Sequence, residues 1–341
     1  LSDPAENRAW TLKRRPERGV SVNDFVLTVS PFTRPRLAAG EILVRNRLFA
    51  VAPTIRNGLN PPGRAYRGSI PLGGTIPGMA GAEVLDSRSP AFRPGDRLVA
   101  LSRWEDVSVL APDRAPVPVF PVPPSMDFGE ALGPLSPNSL TAFFGLIEVG
   151  RPHPGETVVV SAAAGSVGSV ACQIARILGC RVVAIAGGSA KCAWLKAACR
   201  VDGAIDYKSE DVPARLAALC PAGVNVYFDN VGGEILQAVV DALAPRGRVV
   251  LCGQISAYDG GAPSPGPRDM MKLVYGRVRM EGFVVGDYVD QVDAARERIQ
   301  GWIARGEMTV RTDLRRGFER LPEAFVDLFA GANAGTLLVE T

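Results

Sequence analysis

Apolar and polar positions divide the chain into two textures. Up to about residue 127 the apolar runs are short, with Glu41 to Asn46, Gly81 to Asp86 and Arg97 to Leu101 of strand length, bounded by turn clusters such as Pro61-Pro62-Gly63 and Arg93-Pro94-Gly95-Asp96. Short strands with such punctuation predict an irregular antiparallel β-domain or partial barrel. Pro116 to Pro124 carries prolines at 116, 118, 121, 123 and 124. Proline lacks the amide that a helix or ladder uses, so this stretch is expected to be a connector.

From about residue 128 apolar strands alternate with amphipathic helices. Strands are expected at Thr157 to Ser161, Arg181 to Ala186, Gly203 to Tyr207, Val224 to Asp229 and Arg248 to Cys252. Helices are expected at Val167 to Leu178, Ala190 to Cys199, Val212 to Leu219 and Gly233 to Leu243, with a later helix at Asp290 to Arg305 and a last strand at Thr336 to Val339. Val167, Val170, Ala171, Ile174 and Leu178 share one helical face, with Gln173 and Arg176 away from it. Near-continuous apolar strands between such helices imply a parallel sheet covered on both faces. The most apolar stretch, Thr157 to Gly188, contains Gln173, Arg176 and Arg181 and is broken by Gly165, Gly168 and Gly179, and so reads as strand, helix, strand and not as a membrane span.

Composition narrows the field. The 341 residues suffice for about two domains at roughly 150 residues each. A net charge of +3, spread without long runs, leaves no footprint for nucleic acid or an anionic membrane. The single histidine, His153, lies between two prolines in an expected loop; it excludes multi-histidine metal centres and leaves a Ser-His-Asp hydrolase little support. The six cysteines, at 172, 180, 192, 199, 220 and 252, have neither zinc-ribbon nor secreted-disulfide spacing. With no basic-then-apolar start at Leu1 to Arg8, a reducing, cytoplasmic setting is expected.

The candidate chemistry begins at Ala162-Ala163-Ala164-Gly165-Ser166-Val167-Gly168, between a strand and a helix. Against G-x-G-x-x-G, Ala163 occupies the first slot, Gly165 the second and Gly168 the third. Gly165 would admit a pyrophosphate to the backbone, Gly168 would let helix and strand pack closely, and the amides of Ser166, Val167 and Gly168 would face the anion. The bland alternative is a tight strand-helix turn. The next strand ends Ala186-Gly187-Gly188-Ser189-Ala190-Lys191, without the acid that holds the ribose of NAD. Small residues and a cation there suit the 2′-phosphate of NADP, against the alternative of a solvated lysine in a first helical turn.

Phe92-Arg93-Pro94-Gly95-Asp96-Arg97-Leu98-Val99, Leu140-Thr141-Ala142-Phe143-Phe144-Gly145-Leu146, Pro154 to Gly165, Phe228-Asp229-Asn230-Val231-Gly232-Gly233, Cys252 to Tyr258 and Glu281-Gly282-Phe283-Val284-Val285 carry a more specific signal. Together they resemble the medium-chain dehydrogenase/reductase superfamily, in the zinc-independent branch of prostaglandin reductases, leukotriene hydroxydehydrogenases and alkenal double-bond reductases. The resemblance implies an α/β protein with a GroES-like β-rich catalytic domain over 1–127, completed by 306–341, and a Rossmann NADP-binding domain over 128–305. It implies NADP(H) held by Gly165, Ser166, Val167 and Gly168 at the pyrophosphate and by Lys191 and Tyr207 at the 2′-phosphate. Asn230, Cys252, Gly253, Ser256, Tyr258, Phe283, Val284, Val285 and Asn333 would surround the ribose and nicotinamide. Tyr207 reads equally as a strand-end aromatic, Asn230 as a turn former and Cys252 as a small buried residue.

The residues upstream of 128 contain no Cys or His to hold a catalytic zinc. Without a metal to polarise a carbonyl, the easier reaction is hydride addition to the β-carbon of an α,β-unsaturated carbonyl. Tyr258 is the expected catalytic side chain, aiding the enolate oxygen or donating the proton, with the ribose hydroxyl and solvent as rivals. A quinone reductase and a non-catalytic NADPH-binding protein are the alternatives, and a homodimer is what the resemblance implies for assembly. Three departures from the family pattern stand out: Val51-Ala52-Pro53-Thr54-Ile55-Arg56 loses an acid at Ala52, Ser136-Pro137-Asn138-Ser139 replaces a glycine-rich segment, and Asn333-Ala334-Gly335-Thr336 replaces N-x-G-K. The first two are expected beside the substrate, the third to weaken one cofactor contact. Asp259 to Pro267, rich in Gly and Pro, is expected to be a mobile loop beside Tyr258.

Overall fold

The computed structural model describes residues 3–17, 19–63, 68–258 and 266–341. Along the chain, the N-terminal part forms β1 (Glu6–Leu12), β2 (Phe25–Pro31), β3 (Ile42–Ala50), β4 (Pro77–Ser87), β5 (Arg97–Arg103), β6 (Val107–Leu110) and β7 (Phe120–Pro121). The middle forms β8 (Thr157–Val160), β9 (Arg181–Ala186), β10 (Gly203–Asp206), β11 (Val224–Asp229), β12 (Leu243–Leu251) and β13 (Arg279–Gly282). The chain then returns as β14 (Thr312–Arg316) and β15 (Thr336–Glu340).

These elements gather into two units, Leu1–Leu132 with Thr312–Thr341, and Gly133–Arg311. In the first, β14-β15-β3-β4-β5-β7 form one sheet, β6 pairs with β3, and β1 and β2 form a separate antiparallel pair. All its pairings are antiparallel except β14 with β15. One core contains Leu12, Phe25, Phe49 and Trp104 from the N-terminal stretch and Phe318, Leu321 and Phe325 from the return. The rings of Phe25, Trp104 and Phe325 meet pairwise at 5.9 to 6.1 Å. Aromatic burial therefore binds the two ends of the chain into a single unit.

The second unit is a six-stranded, all-parallel sheet in the order β10-β9-β8-β11-β12-β13. Every residue of β8 is buried, as a strand covered on both faces requires. Strand order reverses between β8 and β11, so the C-terminal ends of these strands form the switch point where open α/β sheets bind ligands. The fold class is the expected one, with a β-rich unit and a doubly wound unit. Among the described residues no helix is long and apolar enough to cross a membrane.

Several expectations change in detail. The proline-rich segment is more than a connector: Phe120–Pro121 pairs with Leu98 and Val99 of β5. Pro121 is tolerated because β7 is an edge strand with a side that needs no amide donor. The unit boundaries lie at 132/133 and 311/312 rather than at 127/128 and 305/306. The Phe128–Leu132 helix stays with the β-rich unit because the Phe128 ring fills the space over Gly81 and lies under the Arg97 guanidinium at 4.4 Å. Residues 306–311 stay with the doubly wound unit because Gln173 donates to the Thr309 carbonyl and accepts from its amide, both at 2.8 Å, while Arg176 bonds the Glu307 carbonyl. The expected helix over 190–199 is α-helical at Ser189–Trp194 and widens to a π-turn at Leu195–Cys199.

Candidate active site

The glycine loop joins β8 to the helix Ser166–Ile177, with Gly165 as its N-cap. The tight turn is made without the missing first glycine because Ala162 adopts the left-handed conformation, φ 45°. Ala163, in the expected first slot, is buried and donates its amide to Ile185 of β9 at 3.0 Å. The third glycine is required outright: a Cβ on Gly168 would lie 2.4 Å from the Ala162 carbonyl oxygen and 2.7 Å from the Ala163 Cα. Helix and turn are thus in backbone contact, and the first-turn amides of Ser166, Val167 and Gly168 lie beyond the reach of intrahelical acceptors, an arrangement that attracts an anion.

At the end of β9 the chain turns through Gly187 and Gly188, the latter at φ 96°. Asp206, at the end of β10, accepts from the Gly188 amide at 2.7 Å and the Lys208 amide at 3.1 Å. These bonds hold its carboxyl below the usual carboxylate range. Tyr207 and Lys208 are carried across Gly187, where a Cβ would meet Tyr207 Cε1 at 2.9 Å and Lys208 Cε at 3.0 Å. Lys191, half-buried, has its ammonium pKa lowered, chiefly by burial and then by Lys208 and Arg311. Lys208 and Arg311 were not among the expected contacts. Lys208 was legible in Asp206-Tyr207-Lys208, whereas Arg311 lies 120 residues beyond Lys191 and gave no local signal.

At the switch point, buried Asp229 organises the end of β11. One carboxylate oxygen accepts from the Tyr227 hydroxyl at 2.7 Å, the Ser161 hydroxyl at 3.2 Å and the Val231 and Gly232 amides at 3.0 and 2.9 Å. Asn230 donates its side-chain amide to the Ser161 carbonyl at 2.7 Å and its backbone amide to the Ser161 hydroxyl at 2.9 Å. The Asp229 carbonyl in turn accepts from the Cys252 and Gly253 amides at 2.9 and 3.0 Å. Ser256 donates its amide to the Val231 carbonyl at 3.2 Å, and its hydroxyl bonds the same carbonyl. Asn230, Cys252, Gly253 and Ser256 are therefore assembled in one hydrogen-bonded cluster, and Asp229 is the organising residue that motif reading left unassigned.

Tyr258 closes a single helical turn, Ile255–Tyr258, and its hydroxyl lies 3.8 Å from where a side chain on Gly253 would begin. Burial, with the Asp229 carboxylate adding to it, pushes the Cys252 thiol up to about 12. Phe283, Val284 and Val285 follow the end of β13, and the Phe283 ring packs over Gly145, where a Cβ would lie 2.7 Å from its Cζ. Asn333 belongs to the β-rich unit and donates to the Gly335 carbonyl in its own loop at 3.0 Å. The loop expected beside Tyr258 falls at 259–265 outside the described residues.

His153 is exposed, as expected for a loop histidine. Ser136–Ser139, expected beside the substrate, packs against the glycine loop. Ser136 caps the helix Pro137–Phe144, and Asn138 donates to the Ser166 hydroxyl at 3.1 Å, so the segment braces the glycine loop. Among the described residues, no three His, Cys, Asp or Glu side chains form a group that could hold a metal ion.

The sequence matches the model of an N-terminal oxidoreductase domain over residues 8–117 and that of a zinc-binding dehydrogenase over 166–301. Mouse prostaglandin reductase 1 is 34% identical, with 98% of both chains covered. The chain belongs to the zinc-independent prostaglandin and alkenal reductase branch of the medium-chain dehydrogenase/reductases. Within this family the tobacco NADP(+)-dependent 2-alkenal reductase is 34% identical, with 88% of this chain and 87% of the relative covered. Among solved structures, CurA from Vibrio vulnificus in complex with NADPH superposes with a TM-score of 0.89 at 32% identity, over 98% of this chain and 99% of the other. The family matches the resemblance carried by the motifs, including the two that bracket the switch point.

Proposed function

We propose that this chain is an NADPH-dependent reductase of the carbon–carbon double bond of α,β-unsaturated carbonyls. Its cofactor is NADP(H), and its class is the oxidoreductases acting on CH–CH groups. The donor set fits that cofactor. The Gly165–Gly168 turn leaves three helix-start amides for a pyrophosphate, Gly168 admits no side chain, and the turn after β9 contains no acid of its own and has Lys191 and Lys208 beside it. Lys191 and Tyr207 would hold the 2′-phosphate side. Asn230, the backbone from Cys252 to Ser256 and that of Phe283 to Val285 would hold the ribose and nicotinamide.

The observation that carries the reading is the placement of Tyr258, whose hydroxyl is turned back over Gly253 at the ligand-binding end of the parallel sheet. When bound, NADPH supplies a hydride to the β-carbon of the substrate. The π electrons of the double bond then move toward the carbonyl oxygen. The Tyr258 hydroxyl hydrogen-bonds that oxygen as its charge develops, and protonation of the α-carbon completes the saturated product. Cys252 remains a neutral thiol, so it contributes shape and not a nucleophile. The deciding experiment is an NADPH-oxidation screen over medium-chain enals, aryl enones and quinones with product analysis. Saturated aldehydes or ketones support the proposal, hydroquinones alone would point to a quinone reductase, and tight NADPH binding without turnover would point to a binding protein.

A further inference from the structure

The turn after β9 carries more positive charge than the motif accounts for. Lys191 lies in the helix Ser189–Trp194, and Trp194, three residues on, faces the same side of it. The Arg311 guanidinium lies over the Trp194 ring at 5.6 Å, which carries it to the helix of Lys191 from far along the chain. Lys208 lies across Gly187, in the turn that precedes this helix. Asp206 lies at the same turn, accepting from the Gly188 and Lys208 amides and facing the Lys208 charge, while Glu210 bonds the Asp206 amide at 2.8 Å and Arg215 at 2.8 Å. None of the ion pairs found among the described residues involves Lys208 or Arg311.

We propose that Arg311 and Lys208 join Lys191 in a three-cation clamp for the 2′-phosphate, and that Arg311, on its Trp194 shelf, is the main determinant of NADPH over NADH. This rests on the cofactor reading above and adds to it two residues that no motif names. Lys208 and Arg311 both repel the Lys191 ammonium, adding to burial, which is the larger reason its pKa is lowered. A phosphate dianion relieves that repulsion. A planar guanidinium held against an indole presents paired donors to phosphate oxygens at little entropic cost, which a free lysine cannot match.

The test is isothermal titration of the full chain and of Arg311→Gln, Lys208→Gln, Arg311→Lys and Trp194→Leu with NADPH, NADH, 2′,5′-ADP and 5′-AMP. Arg311→Gln should raise the Kd for NADPH and for 2′,5′-ADP by about tenfold, the scale of one lost charge-assisted contact, while NADH and 5′-AMP move by less than about twofold. Arg311→Lys should recover part of the loss. Trp194→Leu, which removes only the shelf, should lose part of it. Equal losses on NADPH and NADH, or an unchanged NADPH/NADH ratio in both Arg311→Gln and Lys208→Gln, would overturn the clamp. A parent chain that binds neither nicotinamide cofactor would overturn the cofactor reading itself.

Discussion

Tyr258 and Cys252 stand at the same end of the sheet and have opposite chemical prospects. Tyr258 carries a hydroxyl that can donate a hydrogen bond to a developing enolate, and it lies near Gly253. Tyr258→Phe should therefore lower kcat for a good enone on the order of a hundredfold while leaving the Kd for NADPH nearly unchanged; unaltered turnover would remove it from the chemistry. The Cys252 thiol, raised to about 12, stays protonated at neutral pH, as do Cys180 at about 11 and Cys199 at about 12. An enzyme proposed to handle electrophilic alkenes thus holds these thiols in the form that adds to them poorly. Iodoacetamide at pH 8 should label the native protein far more slowly than the urea-unfolded chain. The same shifts have a pH consequence. Above about pH 9 the unfolded chain releases thiol protons that the native state retains, so stability falls as pH rises from 9 toward 12. A urea-midpoint series over that range checks the sign.

Among the elements, the β8–helix connection shows how far a motif can be read. The strand, the helix and the role of Gly168 are legible because apolar run length, helical spacing and the need for a bare Cα each leave a local trace. That Ala162 would take up the left-handed turn is not legible, since alanine carries no sign of it; neighbouring strands impose it. Gly168→Ala should cost about 1–3 kcal/mol, because its Cβ meets backbone rather than a flexible side chain, and should weaken NADPH binding by displacing the loop. Thermal melts with and without NADPH separate the two effects. The Ser136–Ser139 substitution teaches the reverse lesson. Its departure from the family pattern was visible in sequence, but its consequence, Asn138 bonding Ser166, depends on a helix packed across the loop.

For the whole molecule, the division of residue types between units carries a functional consequence. Residues 1–132 and 312–341 contain neither cysteine nor histidine, the ligands of a dehydrogenase catalytic zinc. Incubation with EDTA, or with a stronger zinc chelator, should therefore leave enone-dependent NADPH oxidation unchanged, and a time-dependent loss restored by zinc would contradict the mechanism. By itself the sequence determined the two textures, the parallel sheet, the glycine loop and the absence of an acid after β9, because each is written in neighbouring residues. Only the tertiary structure decided what long-range packing brings together. Gln173 holds Thr309, Phe325 closes the core begun by Phe25 and Trp104, and Arg311 reaches Trp194. Periodicity and turn chemistry act over a few residues, whereas contacts between residues a hundred or more apart are set by how strands are ordered in the sheet, which no local pattern encodes.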